Sequence, residues 1–212
     1  MQRIKHWTIF DLETGPLCPQ TIEEMEPEFK APGNWKDPVK IAIKREEQRK
    51  AFHERAALNP MTSQVLCIGY GYSAHRTTSS PAETDEKAIL KQFWDLFEED
   101  QGYTWVGFCI FHFDLPYLLK RSWCHGIDVP PIRKGHYWHD RFVDLQEVWQ
   151  CGDRQCGGSL DAISTFFGGP KKLGSGADFA AKWVVDRAAA IEYLHRDLEI
   201  TEFVARRMGV IE

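Results

Sequence analysis

The stretch TIFDLETG, residues 8–15, limits the possible folds more than any other part of this sequence. Its apolar residues predict a buried strand over residues 4–12, yet the stretch also carries Asp11 and Glu13. Residues two apart in a strand face the same side, so both carboxylates point together while Leu12 points to the opposite side. Like charges repel, and a buried charge is costly without a positive partner. The stretch therefore predicts that something positive lies between the two carboxylates.

The composition is that of a folded domain without a membrane segment. The chain has 212 residues, 43% of them hydrophobic, which suffices for one α/β domain with a sizeable core. The first residues lack the apolar core of a signal peptide, and no apolar run approaches the length of a membrane span. We therefore expect a cytoplasmic protein with no membrane partner. The net charge of −5 argues against broad wrapping of duplex DNA but permits a metal-lined cleft for a few nucleotides.

Apolar strands alternate with helical patterns along the chain, which indicates an α/β fold with a central mixed β-sheet flanked by helices. Further strands are predicted at Val65–Tyr72, at Trp105–Ile110 and within residues 141–149, the last running into a turn. Helices are predicted from an N-cap at Thr84 to Glu98, at Pro116–Trp123, at Ser159–Phe167, and from Asp186 to Met208.

The segment between the first two strands is far longer than a hairpin loop requires. Asp37 and Pro38 form a good helix start, so we expect a helical insertion over residues 16–60 within a single domain of residues 1–212. The basic side chains of this insertion could contact a phosphate backbone. The alternative is a solvated surface helix with ion pairs between residues four apart.

Two other places put carboxylates at the ends or on the faces of predicted elements. Asp114 follows an apolar strand and precedes a helix, so taken alone it would be a helix N-cap. Tyr193 and Asp197 lie four residues apart in the last helix and share one helical face. Taken alone, they would be a tyrosine at the edge of the core and an aspartate on a solvated face.

Considered together, FDLETG, GFCIFHFDLPYLLKR and YLHRDLEIT resemble the three motifs of the DEDD superfamily of 3′→5′ exonucleases. The stretch GGSLDAISTFFGGPKKLGSG resembles the one before the third motif in proofreading domains of family B DNA polymerases and their stand-alone relatives, many encoded by phages. Tyr193 stands four residues before Asp197, and Glu192 stands where the other branch has histidine, so the sequence resembles the tyrosine (DEDDy) branch. The resemblance implies a ribonuclease H-like fold. It also implies a protein that acts in the cytoplasm of a bacterium or of a phage-infected host.

The resemblance also implies a site for two divalent ions, Mg²⁺ or Mn²⁺, held by oxygen ligands of the kind that such ions prefer. Asp11 would bridge both ions, and Glu13 and Asp197 would complete the site that holds the nucleophile. Asp114 would act on the second ion, largely through ordered water. Tyr193 would orient the attacking water, because its ordinary pKa of about 10 makes it a poor base at neutral pH.

Contacts with the substrate are implied in the same way. Backbone groups of Leu12 and Thr14 would lie near the terminal sugar, and Phe113 would be an aromatic wedge against a base. The family usually has Asn five residues before the aspartate of its second motif, where this chain has Cys109. A thiol is a poor replacement as donor or acceptor, so we expect an altered contact with the terminal nucleotide but intact metal binding.

Lys171 and Lys172 lie in a loop bounded by glycine and proline, where they could contact phosphate or could simply be exposed loop lysines. The sequence thus predicts a metal-dependent exonuclease that releases nucleotides from the free 3′ end of single-stranded DNA. One alternative is an exoribonuclease or short-oligonucleotide nuclease on the same fold. Another is a non-catalytic, nucleic-acid-binding accessory of a replication complex. We expect any editing to serve a replicative polymerase in trans.

Overall fold

The computed structural model describes residues 3–72, 85–134, 137–153 and 155–212. The chain divides into two compact units, one made of residues 1–13 and 65–212 and the other of residues 14–64. The prediction of a single domain over residues 1–212 stays a prediction.

The strands are β1 (Trp7–Pro16), β2 (Ser63–Tyr72), β3 (Thr104–Gly107), β4 (Arg133–Lys134), β5 (Tyr137–Trp138) and β6 (Phe142–Asp144). The central sheet has the order β2–β1–β3–β6. β3 runs parallel to both of its neighbours, with Thr8 opposite Trp105 and Val106 opposite Val143. β4 and β5 form a separate antiparallel pair.

The helices are α1 (Pro19–Glu24), α2 (Pro38–Glu54), α3 (Glu86–Glu99), α4 (Asp114–Cys124), α5 (Leu145–Gln150), α6 (Leu160–Phe166), α7 (Phe179–Val185) and α8 (Arg187–Arg207). Helices pack on both faces of the central sheet, which confirms the predicted α/β class with a mixed sheet flanked by helices. Within the described ranges, no helix combines the length and the apolarity needed to span a membrane.

The alternation of side chains along β1 decides which face each residue serves. Phe10 and Leu12 belong to the core that includes residues of α3 and α4. Trp7 and Ile9 belong to the core that includes residues of α6 and α8. Because the period of a strand is two residues, the odd-numbered acids of β1 continue on the side that faces α8.

Two strands differ from their predicted bounds. β1 begins at Trp7 and continues to Pro16, past the acidic residues near which the predicted strand ended. β3 ends at Gly107 rather than at Ile110, because the chain folds back on the strand end. A Cβ atom at position 107 would lie 2.4 Å from the Ile110 Cγ2 atom, so only glycine fits there.

Three helical predictions also need correction. The predicted turn after Asp144 is wrong, because the Asp144 side chain caps α5 by accepting a hydrogen bond from the Gln146 N–H at 2.9 Å. α4 begins at Asp114, two residues before the predicted start. α3 begins after Asp85, whose side chain accepts from the Lys87 N–H, while Thr84, the predicted cap, lies outside the described residues.

The unit of residues 14–64 contains α1, α2 and a short 3₁₀ helix at Ala56–Leu58. The predicted helix start is confirmed, since the Asp37 side chain accepts from the Val39 N–H at 2.9 Å. α2 buries none of its residues and carries a Lys50–Glu54 ion pair at 3.8 Å. The ion pair fits the solvated-helix alternative, while a phosphate contact and the status of residues 16–60 as an insertion stay predictions.

Candidate active site

Acidic residues gather beside the ends of β3 and β6, the two strands that run parallel to the first half of β1. β1 carries Asp11 and Glu13, the chain after β3 leads through a short loop to Asp114, and β6 ends at Asp144. The odd-numbered residues of β1 project towards α8. Asp197 of α8 therefore lies beside Asp11 and Glu13 of β1. The site thus depends on the two-residue period of β1, which puts its acids on one face, and on the packing of α8 against that face.

The acids of β1 and α8 form a compact group that we call the acidic cluster: Asp11, Glu13 and Asp197. Each places a carboxylate oxygen within 4.8 Å of the other two. Burial raises the pKa of Asp11 to about 7, the charge of Asp197 adds to the rise, and the nearby Lys172 opposes it. The pKa of Glu13 is raised well above its ordinary value by burial and then by the charges of Asp11 and Asp197. The cluster therefore resists ionisation unless more positive charge arrives.

Asp114 adjoins the acidic cluster and is itself 3% exposed. Its pKa is raised well above the ordinary value, first by burial, then by Asp11 and to a smaller extent by Asp144. In the part of the chain that the structure describes, no hydrogen-bond partner reaches its Oδ1 atom. Asp114 is the first residue of α4 and Phe113 occupies the N-cap position, so the N-cap interpretation of Asp114 is wrong.

Asp197 faces the interior and not solvent, with 2% of its surface exposed, so the solvated-face alternative is wrong. The Lys172 Nζ atom donates to its Oδ2 atom at 2.6 Å. Its buried Oδ1 atom has no hydrogen-bond partner among the described residues. Burial raises the pKa of Asp197, although Lys172 and Tyr193 lower it. One ammonium thus faces a cluster of several carboxylates.

Lys172 is fixed beside the cluster by its own backbone. Its N–H donates to the Asp161 Oδ1 atom at 2.8 Å, which ties the loop to the start of α6. Burial lowers the pKa of Lys172, but Asp197, Asp11 and Glu13 more than offset this and raise it. Lys172 is therefore a cation of the site and not an exposed loop lysine.

Tyr193 lies one helical turn before Asp197 in α8 and is 2% exposed. Its ring packs against Phe179, with centroids 5.9 Å apart, and the Lys182 ammonium lies 5.4 Å from its centroid. Burial raises its pKa well above the ordinary value, and the charges of Asp197 and Glu13 add to the rise. At neutral pH the hydroxyl keeps its proton, so it can donate a hydrogen bond but cannot serve as a base.

The loop between β3 and α4 is held by Asp144, a residue whose role at the site the sequence did not predict. The Cys109 N–H donates to Asp144 Oδ1 at 2.8 Å, and the Phe111 N–H donates to Oδ2 at 2.9 Å. Asp144 is 2% exposed, so these bonds are well protected from water. The sequence signal for this residue was its position between an apolar strand and the stretch LQEV, because aspartate at such a junction often caps the following helix.

Cys109 adopts φ 63°, in the left-handed region that most side chains avoid. Asparagine is several-fold enriched in that region, which gives a conformational reason for asparagine at this position of the family motif. Burial raises the pKa of the Cys109 thiol to about 11, and Asp144 and Asp114 add to the rise, so the thiol stays neutral. The altered nucleotide contact that we expected at Cys109 stays a prediction.

The other predicted substrate residues have ordinary structural surroundings. The Leu12 side chain is in the core, and the Phe113 ring packs on Tyr117 with centroids 5.1 Å apart. Lys171 is exposed, unlike Lys172. Their contacts with a substrate stay predictions.

Thr14 belongs to the unit of residues 14–64, where its hydroxyl donates to the Ala57 carbonyl at 2.7 Å. Its backbone contact with a sugar also stays a prediction.

A cleft of about 450 Å³ opens beside Asp11. Its walls come from β1, the β3–α4 loop, the start of α6 and the loop before α7: Asp11, Phe108, Ser159, Leu160, Asp161, Lys172, Gly174, Ser175 and Gly176. The sequence predicted Ser159 only as a helix boundary, and its side chain does accept from the Ala162 N–H. The cleft provides space for an anionic group next to the acidic cluster.

The donor atoms of the site fit a hard divalent cation. All ligands available in the acidic cluster are carboxylate oxygens, which suit Mg²⁺ or Mn²⁺. The buried Oδ1 atoms of Asp114 and Asp197 have no hydrogen-bond partners in the described ranges, which leaves both atoms available to a cation. A cation would also relieve the repulsion that raises the pKa of these groups.

Residues 71–209 match the sequence model of a family described as "Predicted 3'-5' exonuclease related to the exonuclease domain of PolB". The chain belongs to this family. The match includes Asp114, Tyr193 and Asp197, while Asp11 and Glu13 precede the matched range. Membership of the PolB-related exonuclease family confirms the coarse prediction of a 3′→5′ exonuclease relative.

A solved structure with the same fold is that of the family B DNA polymerase from the hyperthermophilic archaeon Pyrobaculum calidifontis, with a TM-score of 0.64 and 19% sequence identity. The alignment covers 96% of this chain but only 24% of the polymerase. Because the identity is low, the likeness shows the fold alone. A search of the curated proteins finds no significant match to this chain.

Proposed function

We propose that this protein is a divalent-metal-dependent exonuclease that removes nucleotides from the free 3′ end of single-stranded DNA. The observation that carries the proposal is the acidic cluster, whose three carboxylate oxygens lie within 4.8 Å of one another in a member of an exonuclease-related family. A protein that only binds an anionic strand gains nothing from clustered carboxylates, which repel phosphate. This argument favours catalysis over the accessory role.

Asp11, Glu13 and Asp197 would hold the metal, and Asp114 would support a second ion from its buried position beside Asp11. When bound, two divalent ions supply a nucleophile by lowering the pKa of water and stabilise the charge on the leaving 3′ oxygen. The carboxylates would bind and orient these ions. The loop held by Asp144 positions Asp114 for this task.

Tyr193 would donate a hydrogen bond to the attacking water and so fix the direction of attack, the arrangement that defines the tyrosine branch. The raised pKa of its hydroxyl supports a role as donor. Lys172 neutralises Asp197 at 2.6 Å and would contact the phosphate of the terminal nucleotide in the loaded site. Lys171 would add a more exposed phosphate contact.

The remaining predicted contacts complete the substrate site. Backbone groups of Leu12 and Thr14 would bind the terminal sugar, and Phe113 would pack against the terminal base. Cys109 would leave the nucleotide with one hydrogen bond fewer than asparagine provides. We further propose that residues 16–60 are a helical insertion in a single exonuclease domain, and that a replicative polymerase is a partner in trans.

A single-stranded DNA carrying a 5′ label tests the proposal when it is incubated with Mg²⁺ or with Mn²⁺ and resolved on a sequencing gel. We expect stepwise shortening from the 3′ end, abolished in Asp11→Asn and slowed about 10- to 100-fold in Tyr193→Phe. Asp95→Asn is the matched control, because Asp95 is exposed on α3 and should have no effect.

Each other outcome has a definite meaning. Equal cutting of an RNA strand would favour the exoribonuclease or short-oligonucleotide alternative. Tight binding without shortening in either metal would favour the non-catalytic accessory. An unchanged rate in Tyr193→Phe would reject the tyrosine as the group that orients water.

A further inference from the structure

A second groove lies along α4, away from the acidic cluster, and has a volume of about 440 Å³. One wall is α4 itself, through Pro116, Lys120 and Trp123. The other wall comes from residues 129–133 and from Trp138. The proposed reaction uses none of these residues, so the groove is not explained by the site described above.

The groove combines exposed aromatic surface with positive charge. Trp123 is 63% exposed, which is a large apolar area to leave in water. Trp138 forms part of the wall, stacked on Phe111 with centroids 5.8 Å apart at 11°, and the Arg133 guanidinium lies 4.5 Å from its centroid. Among the described residues that line the groove, Lys120 and Arg133 are cations and none is acidic.

The charge of the groove opposes that of the whole chain. The protein carries a net charge of −5, so a lining with two cations and no carboxylate is a local exception and not a general property of the surface. Aromatic side chains with flanking cations are the combination that binds single-stranded nucleic acid, because every base has a face that can stack and every linkage carries a negative charge.

The groove is also connected to the proposed active site along the chain, through one helix and the loop before it. α4 begins with Asp114 at the acidic edge of the sheet, and its residues 116, 120 and 123 line the groove. The loop held by Asp144 supplies Phe111 to the groove and leads directly to Asp114. A strand whose 3′ end lies at Asp114 would have to pass around the N-terminal end of α4 to reach the exposed face that carries Lys120 and Trp123.

We propose that this groove binds single-stranded DNA several nucleotides upstream of the 3′ end, with a base stacked on Trp123 and phosphates paired with Lys120 and Arg133. The inference rests on the proposed function, since it extends the path of the same substrate. It makes the groove the part of the protein that distinguishes long strands from short oligonucleotides.

Binding of fluorescein-labelled oligothymidylates of two, four, eight and twelve nucleotides, measured by anisotropy in EDTA, tests this proposal without turnover. We expect Trp123→Ala to weaken binding of the twelve-mer about tenfold and to leave binding of the dinucleotide unchanged. Lys120→Gln and Arg133→Gln should each reduce the slope of log affinity against log salt by about 0.7 for the long strand.

Phe166→Ala is the matched control, because Phe166 is an aromatic residue 73% exposed on α6 and outside the groove. It should leave all affinities unchanged, and thermal melting of every variant should match that of the wild type. If Trp123→Ala binds the twelve-mer as tightly as the control does, or loses affinity equally at all lengths, the proposal is overturned. In the first case the groove would have another occupant, such as a peptide of a partner protein.

The two proposals fail in distinguishable ways. A protein that binds the twelve-mer through Trp123 but never shortens it with Mn²⁺ would reject the proposed function and leave the groove assignment standing. A protein that shortens strands of every length equally well in Trp123→Ala, with unchanged affinity, would retain the exonuclease and reject the groove.

Discussion

Glu86 and the acidic cluster are buried carboxylates in the same unit of this protein, and their surroundings are opposite. Glu86 is 7% exposed and accepts hydrogen bonds from the Val65 N–H at 2.7 Å and from the Arg121 Nε and Nη2 atoms at 2.8 and 2.6 Å. The His125 Nε2 atom lies 2.7 Å from it. Burial alone would raise the pKa of Glu86, but these partners outweigh it and lower the pKa.

The acidic cluster of Asp11, Glu13 and Asp197 has Lys172 as its ammonium partner, and the pKa of each acid in the cluster is raised. The comparison shows that this fold can satisfy a buried carboxylate completely where the carboxylate has a structural role. The deficit of positive charge is therefore a property of the cluster, and a bound cation would remove it.

The largest expected effect concerns Glu86, the carboxylate whose partners the protein supplies. Glu86→Ala removes the carboxylate that Arg121 faces in the interior, so we expect the free energy of unfolding to fall by about 3–5 kcal/mol in urea titrations. The control is Glu47→Ala, whose exposed partner Lys44 lies 3.1 Å away and whose loss should cost less than about 1 kcal/mol. If both variants lose equally little, Glu86 does not have the structural role described here.

The next expected effect is a gain in stability and concerns the acidic cluster. Glu13→Gln replaces a carboxylate whose pKa is raised in the folded state with a neutral amide, so in EDTA at pH 8 the variant should be more stable than the wild type. Mn²⁺ at a hundred times its dissociation constant should stabilise the wild type by about 2.7 kcal/mol and the variant much less. Thermal melts with and without Mn²⁺ measure both quantities, and equal stabilisation of the two proteins would count against Glu13 as a ligand.

The pH dependence of stability separates the two groups further. The folded pKa of Asp11, about 7, lies above its ordinary value of 3.8, so the folded state binds the extra proton between these values. In EDTA this contribution to the free energy of unfolding should therefore increase as the pH falls from 8 towards 4. Glu86 has a lowered pKa, so its contribution is present at neutral pH and is lost only as the pH falls through its folded value.

Urea titrations between pH 8 and pH 5 measure this difference. Asp11→Asn should give a flatter profile than the wild type, while Glu86→Gln should shift the profile without changing its slope over that range. A slope that is identical in the wild type and in Asp11→Asn would show that Asp11 has an ordinary pKa.

The smallest effect concerns Asp144, another buried carboxylate whose hydrogen-bond partners the protein supplies, although burial still raises its pKa. One of these partners is the N–H of Cys109, which adopts φ 63°. Cys109→Asn should raise the free energy of unfolding by up to about 1 kcal/mol, because asparagine tolerates this conformation better. Cys109→Val, with its branched Cβ, should lower it. Equal stability of both variants in urea would show that the backbone of this loop relaxes freely.

The sequence predicted what depends on local periodicity. The strand period of two places Asp11 and Glu13 on one face of β1, and the helical period places Tyr193 and Asp197 on one face of α8. The helix starts predicted at Asp37, Ser159 and Asp186 follow from local side-chain chemistry, and in the structure all three residues are N-caps.

The parts that escaped prediction depend on contacts between distant segments or on elements too short to show a pattern. The Lys172–Asp197 bond joins residues 25 positions apart, and nothing in the loop sequence distinguishes Lys172 from Lys171. The two-residue strands β4 and β5 and the six-residue helix α5 are shorter than the window over which periodicity can be measured. The convergence of β1 and α8 was implied by the family resemblance and not by any local pattern.

The central claim is that the acidic cluster binds divalent cations, and the most direct test is a crystal of the wild-type protein grown with Mn²⁺ and measured at the manganese absorption edge. The account predicts an anomalous peak within bonding distance of carboxylate oxygens of Asp11, Glu13 and Asp197. Well-ordered carboxylates without manganese beside them, at Mn²⁺ concentrations that support DNA shortening, would contradict it.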